Sequence, residues 1–212
     1  MGKIKQGILG GFNGTTGSVV GASWKGIAYM RGKAQSIKNP RTDSQQLNRT
    51  LFGQVSDFMS RSKSCVDVGF KYVSQKKSPF NSAVQSNMKI FTNAGGSFDY
   101  EQLVFSKGGL TPLLSGLLSK SERTLTASFS LYDNPPHDLQ ICVLFVVVGE
   151  FAASPLTQFT KVVISPNNIS GTANFLIPSS IDYSDCYAYA FVQDTFINEV
   201  SSTTYLGHVT NE

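Results

Sequence analysis

The chain has 212 residues, of which 41% are hydrophobic and 15% charged, with a formal net charge of +4. That length holds one substantial core or a domain with an ordered extension, and the hydrophobic share is that of a globular chain rather than a disordered one. The longest apolar run, residues 141–148, is shorter than the roughly 18 to 20 residues a membrane helix needs, and Cys65, Cys142 and Cys186 lack the paired spacing of a zinc site or a dense disulfide framework.

The net charge hides a division. Residues 1–100 hold 14 basic residues against four acids, a net of +10, whereas residues 101–212 hold four basic residues against ten acids, a net of −6. Such asymmetry points to an N-terminal part that faces phosphates or an acidic neighbour. In a symmetric assembly the two halves would also attract each other between copies.

Residues 1–41 carry seven Lys or Arg, nine Gly and no acid. Each interior Gly costs a helix roughly 1 kcal/mol relative to Ala, so this stretch is expected as a basic arm or a set of short strands, with extended pieces over 18–20 and 27–30. Its two early lysines are followed by no sustained apolar stretch, so a secretory leader is not expected.

Asn39-Pro40 breaks the chain, and Thr42 with Gln45 makes a capping box that opens a helix. Leu47, Leu51, Val55, Phe58 and Met59 then share one face. Ser78 as cap and Pro79 at the first helical position predict a second helix, with Phe80, Ala83, Val84 and Met88 inward and 93–96 as its end. Residues 42–100 therefore read as a two-helix segment.

Beyond residue 101 the period changes to two. Residues 125–131 alternate apolar and polar, 139–148 is apolar on both faces like a central strand, and 159–165, 172–178, 186–193 and 202–209 follow between turn signals. The expected fold is α+β, mainly β: a Gly-rich basic arm (1–41), two short helices (42–100), and an antiparallel β-sandwich of immunoglobulin-like or jelly-roll type (101–212).

No reaction centre emerges. His137 follows Pro135-Pro136 in a turn and His208 stands beside Gly207, neither near a nucleophile motif, and the acids are scattered. The run from Gly26 to Ala34 has one residue too many between its glycines for a phosphate loop, and Ala34 stands where Ser or Thr would hold magnesium. No catalytic residue, metal or cofactor is expected. The candidate interaction residues are Lys3, Lys5, Trp24, Lys25, Tyr29, Arg31, Lys33, Lys38 and Arg41. Aromatics interleaved with cations suit single-stranded nucleic acid, and they equally suit an arm anchored on its own body or on a neighbouring subunit.

The string GKIKQGILGGFNGTTGSVVGASWKGIAYMR, then KNPRTDSQQLNR, resembles a Bacteroidota family of proteins of unknown function. The closing segment CYAYAFVQDTFINEVSSTTYLGHV is similar to that family's last pair of strands, in which Ser-x-x-x-Tyr-Leu-Gly recurs. Residues 106–124 depart from the pattern, lacking its tryptophan-containing strand, so the first sandwich strand is not assigned from sequence. The resemblance implies no catalytic residue. Taken together, these features predict a structural or assembly protein, specifically a phage virion component whose arm docks on neighbouring subunits, found in the virion or in the cytoplasm before assembly. A nucleic-acid-binding accessory protein and a surface adhesion module are the alternatives.

Overall fold

The computed structural model describes residues 3–4, 10–36, 41–73, 77–93, 98–149 and 155–211. The chain divides into two compact units, Met1–Asp43 and Ser44–Glu212. The first is an antiparallel sheet of β1 (Lys3–Ile4), β2 (Phe12–Thr16), β3 (Val19–Trp24) and β4 (Ile27–Gly32), paired in that order. The glycines that exclude a helix here supply turns instead. Trp24 pairs directly with Ile27, so Lys25 and Gly26 make a two-residue hairpin loop with φ of 49° and 83°, the left-handed pair that matches strand twist.

Among the described residues three α-helices occur where the sequence pattern predicts two. The helix α1 (Asp43–Arg61) opens directly after Thr42 and buries Leu51, Val55, Phe58 and Met59, while Leu47, expected on the same face, lies one turn beyond the core and is exposed. Next comes α2 (Lys63–Gly69), a seven-residue helix too short for its periodicity to register in sequence; it buries Cys65 and Val66. Its last residue, Gly69, allows a close approach, because a Cβ there would stand 2.1 Å from the Phe105 carbonyl oxygen. As expected, α3 (Pro79–Asn93) starts at Pro79, with the Ser78 hydroxyl accepting the Asn81 N–H at 3.2 Å. Ser82, Ala83, Val84, Asn87 and Phe91 are buried, while Phe80 and Met88 are half-buried. Residues 94–97, part of the expected helix stop, lie outside the described residues.

A 3-10 turn at Tyr100–Gln102 leads to the sandwich. Its strands are β5 (Ser115–Ser121), β6 (Thr124–Ser130), β7 (Leu139–Gly149), β8 (Leu156–Ile164), β9 (Ser170–Leu176), β10 (Tyr183–Asp194), β11 (Glu199–Val200) and β12 (Thr204–Thr210). One sheet has the order β5-β6-β9; the other runs β8-β7-β10, with β11 and β12 on the far edge of β10. Every pairing between these strands is antiparallel, and an isolated parallel bridge joins Leu110 to Ser201. A three-stranded sheet thus faces a five-stranded one, and the chain crosses between sheets after β6, β8 and β9, which makes the expected antiparallel β-sandwich. The unassigned first strand is β5, hidden in sequence because only Leu118 of its seven residues is fully buried.

Two cores share the larger sheet. Between the sheets lie Ile141, Val143, Phe145 and Val147 of β7, Ala188 and Ala190 of β10, and Leu125, Ala127 and Phe129 of β6. On the other face, Cys142, Leu144 and Val146 of β7 and Tyr189 and Phe191 of β10 pack with Val55, Phe58, Met59, Val66, Val84 and Phe91 of the helices. The apolar run of 139–148 is thus a central strand covered on both sides, and the molecule has three layers here: helices, larger sheet, smaller sheet.

Residues 103–107 are strapped between helix and sheet. The Asn87 amide donates to the Val104 carbonyl at 2.7 Å and its oxygen accepts the Val104 N–H at 2.9 Å. From the other side the Thr203 hydroxyl accepts the N–H groups of Phe105 and Ser106 at 2.9 and 2.8 Å. Both side chains answer backbone groups that burial would otherwise leave unpaired.

Candidate functional site

The expected interaction residues fall mainly on the N-terminal sheet. The register pairs Trp24 with Ile27, Ala22 with Tyr29 and Val20 with Arg31, and directly paired residues of antiparallel strands point to the same side. Trp24, Ile27, Tyr29 and Arg31 therefore share one face of the β3–β4 hairpin. The opposite face is partly covered by the chain leading into β2: a Cβ on Gly21 would lie 2.1 Å from the Phe12 carbonyl oxygen and 2.7 Å from its ring. Gly21 is the residue that admits this overlay.

All six residues of β4 are exposed, and the apolar ones are open to an unusual degree: Ile27 is 71% exposed, Trp24 55% and Tyr29 47%. Lys25 occupies the hairpin turn beside Trp24, and Lys33 follows β4, its N–H donating to the Ser18 carbonyl at 2.7 Å. Lys3 sits in β1 opposite Asn13. Arg41 precedes α1 and lies outside the sheet; Lys5 and Lys38 lie outside the described residues. The structure thus gathers Trp24, Lys25, Tyr29, Arg31 and Lys33 on one hairpin, adds Ile27, and leaves Arg41 apart.

A second exposed surface, which sequence reasoning missed, lies at one end of the sandwich. The loop between β6 and β7 and the turn between β10 and β11 meet there. Asp194, nearly buried, organises both: one carboxylate oxygen accepts the N–H groups of Phe196 and Ile197 at 2.8 and 3.2 Å, and the other is 2.7 Å from His137 Nε2. Burial alone would raise the carboxyl pKa; the Ile197 N–H, the His137 side chain and the Phe196 N–H together outweigh it and hold the group below its ordinary value of 3.8. His137, read from sequence as an incidental turn residue, is therefore a hydrogen-bonding partner that joins the two loops. Tyr72 donates its hydroxyl to Asn198 Oδ1 at 3.2 Å, tying the turn to the helical layer.

So held, the turn projects Phe196, 80% exposed, with Ile197 and Tyr132 also open to solvent. Beside Tyr132 and Ile197 is a cavity of about 400 Å³ lined by these two with Leu110, Pro112, Pro135 and Leu139 among others. Asp194 to Asn198 reads from sequence as a turn between strands, and the structure places a turn there; that its apolar side chains stand out to solvent, held by Asp194, is what the sequence does not show.

Elsewhere the chemistry is that of packing. Burial pushes the Cys142 thiol up to about 12 and the Cys186 thiol to about 11, and raises Cys65 as well, so all three stay protonated at neutral pH. Tyr100 and Tyr187 stack at 4.5 Å and Tyr189 donates its hydroxyl to the Tyr100 carbonyl at 2.6 Å; burial raises Tyr100 to about 12. Among the described residues no helix is long and apolar enough to cross a membrane.

The class defined by these observations is an antiparallel β-sandwich backed by helices on its larger sheet, in a chain that also carries a separate N-terminal sheet. The chain belongs to a family of unknown function (DUF6266), whose model matches residues 11–207. The match runs through both compact units, so the N-terminal hairpin is part of the family's pattern. No match was found among curated proteins. Of solved structures, the chain resembles a family 76 glycoside hydrolase from a bovine Bacteroides thetaiotaomicron strain at 13% identity and a TM-score of 0.35, over 48% of this chain and 20% of that one. The chain thus spans about a fifth of that enzyme's length, and a likeness this weak carries no argument.

Proposed function

We propose that this is a non-enzymatic assembly protein, specifically a virion component, whose N-terminal sheet docks on a neighbouring protein subunit. The observation that carries this reading is the exposure of Trp24, Ile27 and Tyr29 on one face of an ordered hairpin. Aromatic side chains remove roughly 150–250 Å² each from water when covered, and such residues dominate the energetics of protein interfaces. The neighbouring cations Arg31 and Lys33, in a stretch of 11–36 that contains no acid, favour a partner surface of negative charge. Protein is favoured over nucleic acid because Ile27, the most exposed of the three, offers a base nothing to stack on, while an apolar protein surface covers it well.

Trp24 is the only tryptophan in the chain, so its fluorescence reports directly on this face. Sedimentation velocity combined with acrylamide quenching is expected to show assembly that shields Trp24, resists nuclease and is lost in the Trp24→Ser/Tyr29→Ser variant. Shielding that appears only on adding DNA or RNA and reverses steeply with salt would overturn the reading in favour of nucleic acid. So would a Trp24 that stays quenchable in every assembled species.

A further inference from the structure

We infer that the surface receiving the N-terminal sheet is the loop end of the sandwich in a second copy of the same chain, an inference that rests on the docking role proposed for the sheet. Two features of the loop end argue for this occupant. The first is shape and polarity: Leu110, Tyr132, Leu139 and Ile197 line a cavity of about 400 Å³, a mainly apolar recess able to receive an aromatic side chain, Phe196 stands exposed on the same turn as Ile197, and the Asp194 hydrogen bonds fix that turn beforehand so that little ordering is left for binding. The second is charge. The segments 131–139 and 194–199 that build this end contain Asp133, Asp138, Asp194 and Glu199 and no Lys or Arg, and Asp133, Asp138 and Glu199 are exposed. The sheet presents the complement: Trp24, Ile27 and Tyr29 with Arg31 and Lys33 and no acid. An apolar centre with a rim of one sign thus meets an apolar centre with a rim of the other, the arrangement that sets specificity and register between partners.

Because the two surfaces differ, the contact is heterologous: each copy offers a sheet to one neighbour and a loop end to another. Repetition of such a contact closes into a ring or extends as a filament, according to the rotation between copies.

Complementation tests this. One variant loses the sheet surface (Trp24→Ser/Tyr29→Ser) and another the loop end (Phe196→Ser/Asp133→Lys/Asp138→Lys). By native mass spectrometry the wild type is expected to form oligomers, each variant alone to remain monomeric, and an equimolar mixture to give a dimer and nothing larger, since only one productive contact is left per pair. Circular dichroism confirms that each variant is folded. If the loop-end substitutions disturb folding, the charge-reversed pair, Arg31→Glu/Lys33→Glu mixed with Asp133→Lys/Asp138→Lys, is expected to regain the contact that each loses against wild type. Loop-end variants that assemble like the wild type overturn the inference while leaving the sheet's docking role intact. Sheet variants that assemble like the wild type overturn both. A monomeric wild type, or a mixture that stays monomeric, excludes the second copy as the partner.

Discussion

Asn87 shows how much of this molecule depends on single polar side chains inside an apolar layer. It is almost fully buried, and both ends of its amide are spent on the Val104 backbone. Replacing it by Ala leaves the half-buried N–H and C=O of Val104 without this partner, at about 1 kcal/mol for each group, toward the low end of the cost of an orphaned polar group. Asn87→Ala is therefore expected to lower the urea midpoint with little change in slope, and a loss under about 0.5 kcal/mol, the range of an ordinary surface change, would refute the role assigned to it. The residue was invisible to pattern reading because Asn on a helix scores as polar and outward-facing. Ser78, by contrast, was legible, since the Ser-Pro pair specifies a cap by local chemistry alone. Polar residues that act on their own helix can be read from sequence, whereas those that serve a distant strand cannot.

At the scale of elements, the turn between β10 and β11 is the one whose geometry has a pH signature. Asp194 is held below its ordinary value of 3.8 in the folded chain, so the stabilisation it provides is complete above that value and disappears as pH falls through the lower folded value. The gap in thermal midpoint between wild type and Asp194→Asn is thus expected to be constant near neutral pH and to narrow only below about pH 4. A gap independent of pH down to acid unfolding would show that the carboxylate charge is not what orders the turn. The strands on either side were readable because their hydrophobic period is regular; 139–148 and 186–193 in particular matched β7 and β10 closely. The elements that sequence missed, α2 and β5, are short or little buried, so neither period develops. The basic hairpin was legible as extended pieces and as a cluster of aromatics and cations, but only the register shows that Trp24, Tyr29 and Arg31 share a face.

At the scale of the whole molecule, the helices and the sandwich are bound into one unit by a sheet that each needs. Residues Ser44–Glu212 are therefore expected to melt in a single calorimetric transition with matching van't Hoff and calorimetric enthalpies, despite containing two hydrophobic cores. Two resolved transitions would mean that the helical layer separates from the sheet beforehand. Apolar coverage on both faces has a further effect on β10. In a half-buried strand, a slip of one residue turns oily side chains toward water, and that cost alone fixes the pairing. Here a slip would bury everything just as well, so polarity cannot specify the alignment. What differs between the faces over the middle of the strand, residues 186–191, is bulk: Cys186, Ala188 and Ala190 face the other sheet, while Tyr189 and Phe191 face the helices. The strand is thus keyed by volume, small residues where two sheets close together and rings where helices leave room, and a shift by one position would jam one core while hollowing the other.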